Sequence, residues 1–123
     1  MRPRPVRRLH RVDGRRVNVC LALAASLDGS DVLTIEGLAV GERLHPVQSA
    51  FVEHDALRCG FCTPGQVMSA KAFFDEGGDW RDGGCVREGM AGNLCRCGAY
   101  VGVVEAVQDA GRRLENLARK EVA

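Results

Sequence analysis

Hydrophobic residues alternate with other residues in the first third of the chain, a pattern typical of strands rather than helices. The alternate positions Val17, Val19 and Leu21 predict a half-buried strand, and residues 32–35 predict a second, shorter one. Each is preceded by an Asp-Gly pair, which marks a tight turn. Because two strands bury little surface by themselves, we interpret this segment as the tail of a β domain whose beginning is missing or altered.

Beyond these strands the spacing of hydrophobic residues becomes helical. Segments 46–57 and 63–76 each have a proline suited to a first helical turn, and the threonine before the second proline is expected to cap its helix. A short third helix is predicted at 86–91, where Gly89 costs about 1 kcal/mol relative to alanine. Apolar side chains recur every three or four residues over 103–118 and predict an amphipathic helix. Four helices with short loops predict a small bundle.

Composition and charge exclude several classes of protein. The chain has 123 residues, of which 46% are hydrophobic, and this content argues against disorder. The formal net charge of +1 argues against a nucleic-acid binder. No apolar run approaches the roughly 20 residues of a membrane span, so no membrane association is expected. Residues 1–27 imitate a signal peptide only roughly, so we expect a cytoplasmic location, with a periplasmic one as the alternative.

The six cysteines carry the candidate chemistry, because four of them form two close pairs. Cys59 and Cys62 form a C-x-x-C motif, and Cys95 and Cys97 form a C-x-C motif, with 32 residues between the two pairs. Each motif can place two sulfurs on one metal ion. Together they supply four ligands, either to one tetrahedral zinc ion or to the two irons of a 2Fe–2S cluster.

The spacing of the cysteines favours the iron–sulfur cluster. Structural zinc sites usually repeat C-x(2–4)-C at both ends, and a C-x-C is tight for two ligands on one small ion. Gly60, Gly65, Gly92 and Gly98 let backbone amides approach the sulfurs, as the sulfurs of a cluster require. A thioredoxin-type site is disfavoured, since no βαβ pattern surrounds the C-x-x-C. From spacing alone, zinc and disulfides or unligated thiols remain the alternatives.

Four stretches of the sequence resemble one known family. They are CGFCTPG at 59–65, GNLCRCGAY at 92–100, HPVQ at 45–48 and TIEGL at 34–38. Over about residues 12–118 the chain is similar to the iron–sulfur subunit of molybdenum hydroxylases, the family of xanthine dehydrogenase, aldehyde oxidoreductase and carbon monoxide dehydrogenase. The resemblance implies an α+β fold. Residues 44–123 would form a four-helix 2Fe–2S-binding domain, preceded over residues 1–43 by a truncated remnant of a plant-ferredoxin-like β-grasp domain.

The same resemblance implies an electron-transfer subunit of an oxidoreductase complex, with no substrate-converting site on this chain. In that family a large partner subunit holds molybdopterin and oxidises the substrate, and another subunit holds FAD. The chain would hold one 2Fe–2S cluster on Cys59, Cys62, Cys95 and Cys97. Through it, single electrons would pass from the molybdopterin site toward FAD.

Three residues depart from the family pattern or extend it. Arg58 stands where the family usually has a glutamine that touches the pterin, and an arginine can still donate hydrogen bonds there. Cys85 stands where the family usually has a polar helix residue, and we interpret it as a bystander thiol. Cys20 matches the fourth ligand of a second, plant-type cluster, whose other ligands form a preceding C-x(4)-C-x(2)-C that this sequence lacks. One cluster is therefore expected rather than two.

Residues 1–11 contain five arginines and no acid, and we expect them not to be native-like. If each arginine is encoded by CGN, translating the same nucleotides one base later permits the sequence Cys-Gly-x-Gly-x-Cys-Gly-Ala-Cys. This sequence is the cluster-binding loop of the family that the chain resembles. We therefore interpret the arm as that loop in the wrong frame, with a genuine arginine-rich tail as the alternative that the nucleotide sequence would decide. For the whole chain the alternatives are a zinc-stabilised, non-redox interaction module and a defective product that lacks the second cluster.

Overall fold

The computed structural model of the chain describes residues 9–122, with side chains from residue 11 onward. A small antiparallel sheet comes first in this range and helices follow. The elements are β1 (Leu9–Val12), β2 (Arg15–Asn18), β3 (Val32–Leu33), α1 (Pro46–Glu53), α2 (Thr63–Asp75), α3 (Gly83–Met90) and α4 (Tyr100–Val122). The fold is α+β, as the sequence resemblance implied. None of the helices in the described range is both long and apolar enough to cross a membrane.

The strand β1 is central in the sheet, with β2 on one side and β3 on the other. Asp13 and Gly14 connect β1 to β2 with φ angles of 49° and 80°, the left-handed conformation of a tight hairpin. The strand expected over 17–21 is displaced, because β2 ends at Asn18 and the N–H of Leu21 donates to the Asn18 carbonyl at 2.9 Å to close a turn. Leu21 is 75% exposed, so the alternation at this point does not mark a buried face.

The second predicted strand is shorter than expected. Only Val32–Leu33 pairs with β1, because a 3-10 helix over Ile35–Leu38 takes up the rest of the apolar stretch. The expectation that residues 1–11 are not native-like falls mainly on residues 1–8, which lie outside the described residues. Residues 9–11 belong to β1 and take part in its pairing.

Capping chemistry sets the bounds of α1. The helix begins at Pro46 as expected, and His45 caps it by accepting a first-turn backbone N–H on its Nδ1 at 3.2 Å. Gln48 completes this capping box, since its Oε1 accepts the backbone N–H of His45 at 2.9 Å. The helix stops at Glu53, earlier than predicted, because Asp55 takes a left-handed φ of 52° that cannot continue it.

The starts of α2 and α3 differ slightly from prediction. Cys62, and not Thr63, occupies the cap position of α2, and no side chain caps that helix. The capping role expected for Thr63 is therefore wrong. α3 begins at Gly83, earlier than predicted, because Asp82 caps it by accepting the N–H of Gly84 at 2.8 Å.

The hydrophobic core lies where the four helices meet. Each helix contributes a fully buried side chain, and these include Val47, Met68, Val86 and Val107. Gly89 of α3 has a packing role, because a Cβ there would lie 2.5 Å from the ring of Phe73 on α2. The helix-propensity cost expected at this glycine is thus offset by close packing. Arg16 of β2 forms an ion pair at 2.5 Å with Glu76, the residue directly after α2, and so connects the sheet to the end of that helix.

A charged network joins the end of α1 to the middle of α4. Asp109 accepts hydrogen bonds from His54 at 3.0 Å and from Arg113 at 2.6 Å, and Arg113 also binds Glu53. Burial raises the pKa of Asp109, but the hydrogen bonds from His54 and Arg113 outweigh it and leave the pKa below the ordinary value of 3.8. The ionised carboxylate is therefore the form that stabilises the fold.

Asp109→Asn is expected to lower the free energy of unfolding by roughly 1 kcal/mol at neutral pH, because a neutral amide replaces a carboxylate that accepts hydrogen bonds from His54 and from the guanidinium of Arg113. Since the folded-state pKa is depressed, this contribution is complete above the unfolded-state pKa and is lost as the pH falls through the folded-state value. The gap in melting temperature between the wild type and the variant should close below about pH 4. Glu115→Gln, which removes exposed ion pairs only, should show little gap. A gap for Asp109→Asn that persists in acid would contradict the assignment.

Candidate metal centre

Two loops carry the four motif cysteines. The loop between α1 and α2 carries Cys59 and Cys62, and the loop between α3 and α4 carries Cys95 and Cys97. Cys59 and Cys97 are exposed, Cys62 is partly buried, and Cys95 is buried. The site therefore reaches from the protein surface to the edge of the core.

The four thiols are arranged as two pairs, each of which joins one motif to the other. The thiol of Cys97 lowers the pKa of Cys59, and the thiols of Cys62 and Cys95 shift each other's pKa in opposite directions. The expectation from the sequence that the two sulfurs of one motif can share an ion stays a prediction. In the described part of the chain, no three His, Cys, Asp or Glu side chains are placed to bind one metal ion. Two thiol pairs fit a 2Fe–2S cluster, in which two thiolates bind each iron.

The thiols of the C-x-x-C motif have opposite acid–base properties. The backbone N–H of Phe61, followed by the thiol of Cys97, lowers the pKa of Cys59. Burial and the neighbouring Cys95 raise the pKa of Cys62 to about 11. The loop therefore favours the thiolate at its exposed cysteine and the thiol at its buried one. Metal binding would displace the proton from Cys62, as thiolate ligation requires.

Backbone amides of the second loop converge on Cys95. Burial raises the pKa of this thiol, but the N–H groups of Ala99, Cys97 and Gly98, together with the thiol of Cys62, outweigh it and leave the pKa lowered. The N–H of Ala99 lies 3.4 Å from the Cys95 sulfur. Such amide donors stabilise negative charge on sulfur and tune a bound cluster.

Gly102 of α4 brings the two loops together. A Cβ at this position would lie 2.8 Å from the carbonyl oxygen of His54 and 3.1 Å from that of Asp55. Because these atoms are backbone, only a glycine allows α4 to approach the segment that leads into Cys59. Cys97 lies just before α4, so this close approach places the two motifs side by side.

A buried polar bridge joins α2 to the loop that carries Cys95, and sequence reasoning missed it. Gln66 of α2 donates through Nε2 to the Asn93 carbonyl at 3.0 Å, and Asn93 donates through Nδ2 to Ser69 Oγ at 2.6 Å. Among the described residues, Gln66 Oε1 and Asn93 Oδ1 are buried without a hydrogen-bond partner. Polar residues inside or beside the two motifs were the available signal, but their burial is visible only in the fold.

Exposed apolar side chains surround the cysteines, and these too were missed. They are Phe61 (54% exposed), Leu94 (44%), Tyr100 (47%) and Val101 (73%). Tyr100 also supports the second loop, because its hydroxyl accepts the backbone N–H of Cys95 at 2.8 Å. A large apolar rim around polar sulfurs is typical of a surface that meets another protein.

The remaining residues that the sequence singled out lie at the rim or elsewhere. Arg58 precedes Cys59, is 57% exposed and forms an ion pair with Asp55 at 3.3 Å. Cys20 is exposed in the turn after β2. Cys85 is partly buried in α3 and packs against the core, which suits a bystander thiol.

Comparison with known proteins adds to this geometry. Residues 34–108 match the protein family described as the 2Fe–2S binding domain. The chain is 40% identical over 119 residues to the aldehyde oxidoreductase iron-sulfur-binding subunit PaoA of Escherichia coli (strain K12), covering 85% of this chain and 52% of that protein. It is 41% identical over 102 residues to the xanthine dehydrogenase iron-sulfur-binding subunit of Escherichia coli O157:H7, covering 80% and 62%. The chain thus spans only 52% to 62% of the length of these relatives.

Solved structures show the same fold. Quinoline 2-oxidoreductase from Pseudomonas putida 86 matches with a TM-score of 0.73 and 38% identity, covering 85% of this chain and 67% of that chain. The aldehyde oxidoreductase from Desulfovibrio desulfuricans matches with a TM-score of 0.75 and 36% identity, covering 88% of this chain and 12% of that much longer chain.

Proposed function

The chain belongs to the family of iron–sulfur subunits of aldehyde oxidoreductases, xanthine dehydrogenases and related molybdenum hydroxylases, and we propose that it works as their electron-transfer component. In this proposal Cys59, Cys62, Cys95 and Cys97 bind one 2Fe–2S cluster. Single electrons pass from molybdopterin on a large partner subunit, through this chain, toward FAD on another subunit. The observation that supports the proposal most strongly is the match of residues 34–108, which include all four cysteines, to the 2Fe–2S binding domain.

A bound 2Fe–2S cluster would supply the acceptance and release of one electron at a time. The residues of this chain hold the cluster and adjust the charge on its ligands. The N–H groups of Phe61 and Ala99 stabilise negative charge on the sulfurs of Cys59 and Cys95, respectively. Exposed Cys59 and Cys97 place one side of the site at the surface, where electrons can enter from a partner.

The apolar rim is the face that we assign to the molybdopterin-binding large subunit. Phe61, Leu94 and Val101 are exposed beside the cysteines, and covering them with a partner would exclude water from the site. Arg58 lies on the same loop with its guanidinium largely exposed, so the proposal makes it a hydrogen-bond donor to the pterin. The FAD-binding subunit would receive electrons at a different face.

The full chain, purified without oxygen and reconstituted with ferrous iron and sulfide, is expected to contain about two irons and two acid-labile sulfides. It should be coloured, and one-electron reduction should give the paramagnetic resonance signal of a 2Fe–2S centre. A colourless chain with one zinc and no sulfide would reject electron transfer in favour of a zinc-stabilised module. About four irons per chain would reject the assignment of a single cluster.

A further inference from the structure

We propose that Gln66 and Asn93 are positioning residues for the metal centre. Their buried hydrogen bonds join α2 to the loop before α4 and thereby set the separation of Cys62 from Cys95. This assignment rests on the proposed 2Fe–2S site, because it concerns how the chain holds two of its four ligands.

The first bond links the two cysteines by a short path. The backbone N–H of Gln66 donates to the carbonyl of Cys62 at 3.0 Å, so the glutamine lies one helical turn beyond that cysteine. Its side chain then donates to the Asn93 carbonyl at 3.0 Å, two residues before Cys95. Any movement of Cys95 away from Cys62 would therefore stretch this bond.

The second bond prevents the loop from turning about the first. The Asn93 side chain donates to Ser69 Oγ at 2.6 Å, and Ser69 lies on the same face of α2 as Gln66, three residues further on. All three side chains are buried, with exposed fractions of 2% for Gln66, 0% for Ser69 and 4% for Asn93. Two attachments to neighbouring points of one helix fix both the position and the orientation of the loop.

Packing alone does not account for the bridge. Among the described residues, Gln66 Oε1 and Asn93 Oδ1 are buried with no hydrogen-bond partner, an arrangement that apolar side chains of similar volume would avoid. The bonded half of the Gln66 amide is directed to the loop that carries Cys95, and the bonded half of the Asn93 amide is directed from that loop back to Ser69 on α2. The polar side chains therefore fix the position of this loop relative to α2.

Gln108 offers a matched control. Its Nε2 donates to the Arg81 carbonyl at 3.0 Å, so it makes the same kind of bond, at the same length, as Gln66 makes to Asn93. The Gln108 bond joins α4 to the loop before α3 and involves no cysteine-bearing segment. Gln66→Met and Gln108→Met thus remove bonds of the same chemistry and length with the same change of side chain, the first bond buried and the second exposed.

The test uses the full chain carrying its reconstituted cluster. Gln66→Met is expected to speed the loss of the cluster to a chelator by about tenfold, the lower range for loss of a group that orients metal ligands. It should also change the midpoint potential and the paramagnetic resonance spectrum of the reduced centre. Gln108→Met should match the wild type in all three measurements.

Each result bears directly on the assignment. Wild-type cluster lifetime, potential and spectrum in Gln66→Met would overturn it, even if the melting temperature of the apo chain fell, since that would be a structural role alone. Should Gln66→Met fail to fold, Ser69→Ala removes the acceptor of the second bond with a smaller change. Ser69→Ala is expected to speed the loss of the cluster by about twofold to threefold and to change the midpoint potential and the spectrum in the same direction as Gln66→Met. If Ser69→Ala leaves all three measurements at their wild-type values, the assignment is overturned.

A second measurement needs no cluster and separates this inference from the proposed function. In a chain whose Cys20, Cys59, Cys85 and Cys97 are replaced by serine, oxidised glutathione is used to form a disulfide between Cys62 and Cys95. If the hydrogen bonds of Gln66 and Asn93 set the separation of Cys62 from Cys95, Gln66→Met should slow the formation of this disulfide severalfold and Gln108→Met should not. If the wild-type chain binds no iron or sulfide, the proposed function fails, while equal trapping rates in the two variants would reject the bridge.

Discussion

Replacing Cys95 with serine is expected to abolish cluster binding. This cysteine is the buried one of the four, and its sulfur accepts the N–H of Ala99 at 3.4 Å. A serine hydroxyl is a poor ligand for an iron–sulfur cluster, because its oxygen is harder than sulfur and is not ionised at neutral pH. Iron and acid-labile sulfide should fall from about two of each per chain to less than about a tenth of that.

The matched control for this substitution is Cys85→Ser. Cys85 is also partly shielded from solvent, but it packs against the core from α3 and is not hydrogen-bonded to any of the four motif thiols in the described structure. Cys85→Ser should keep the full content of iron and sulfide and the wild-type visible spectrum. If iron and sulfide fall equally in the two variants, their binding depends on folding in general and not on Cys95 as a ligand.

Gly102→Ala is expected to destabilise the fold by about 2–3 kcal/mol, near the upper range for an inserted methyl group that meets rigid neighbours. The added Cβ would lie 2.8 Å from the His54 carbonyl oxygen, and a backbone atom cannot rotate away. Thermal unfolding of the apo chain should show a melting temperature lower by roughly 10 °C. The reconstituted cluster should also be less stable to a chelator, because the segment at His54 leads into Cys59.

Gly92→Ala tests whether the lower melting temperature expected for Gly102→Ala comes from the close contact at that position. A Cβ at Gly92 meets nothing within 4 Å, and this glycine has no left-handed φ, although it lies in the loop that carries Cys95. Its melting temperature should stay within about 2 °C of the wild type, as expected for an exposed substitution. If Gly102→Ala were as stable as Gly92→Ala, the close contact of α4 with the segment before Cys59 would not be what joins the two loops.

The helices were predictable because their signals are local. Prolines in the first turn marked the starts of α1 and α2, and the three-to-four spacing of apolar residues marked α4. Strand limits were less predictable. Leu21 continues the hydrophobic alternation but is 75% exposed, because no further strand pairs with the chain at that point in the described structure. The extent of a strand depends on its partner, which sequence spacing does not contain.

At the metal centre, too, the sequence predicts the chemistry, whereas only the fold shows which segments are in contact. The sequence alone predicted the candidate donor set, because two cysteine pairs offer four sulfurs to a metal centre, and the flanking motifs carry the resemblance that implies a 2Fe–2S cluster. Only the tertiary structure brought the two motifs close enough for Cys97 to shift the pKa of Cys59 and for Cys95 to shift that of Cys62. It also placed the backbone of α4 against the segment before Cys59 and buried Gln66 and Asn93 between α2 and the loop that carries Cys95. The physical reason is distance along the chain: a motif records neighbours a few residues apart, whereas these contacts join segments that only the packing of four helices brings together.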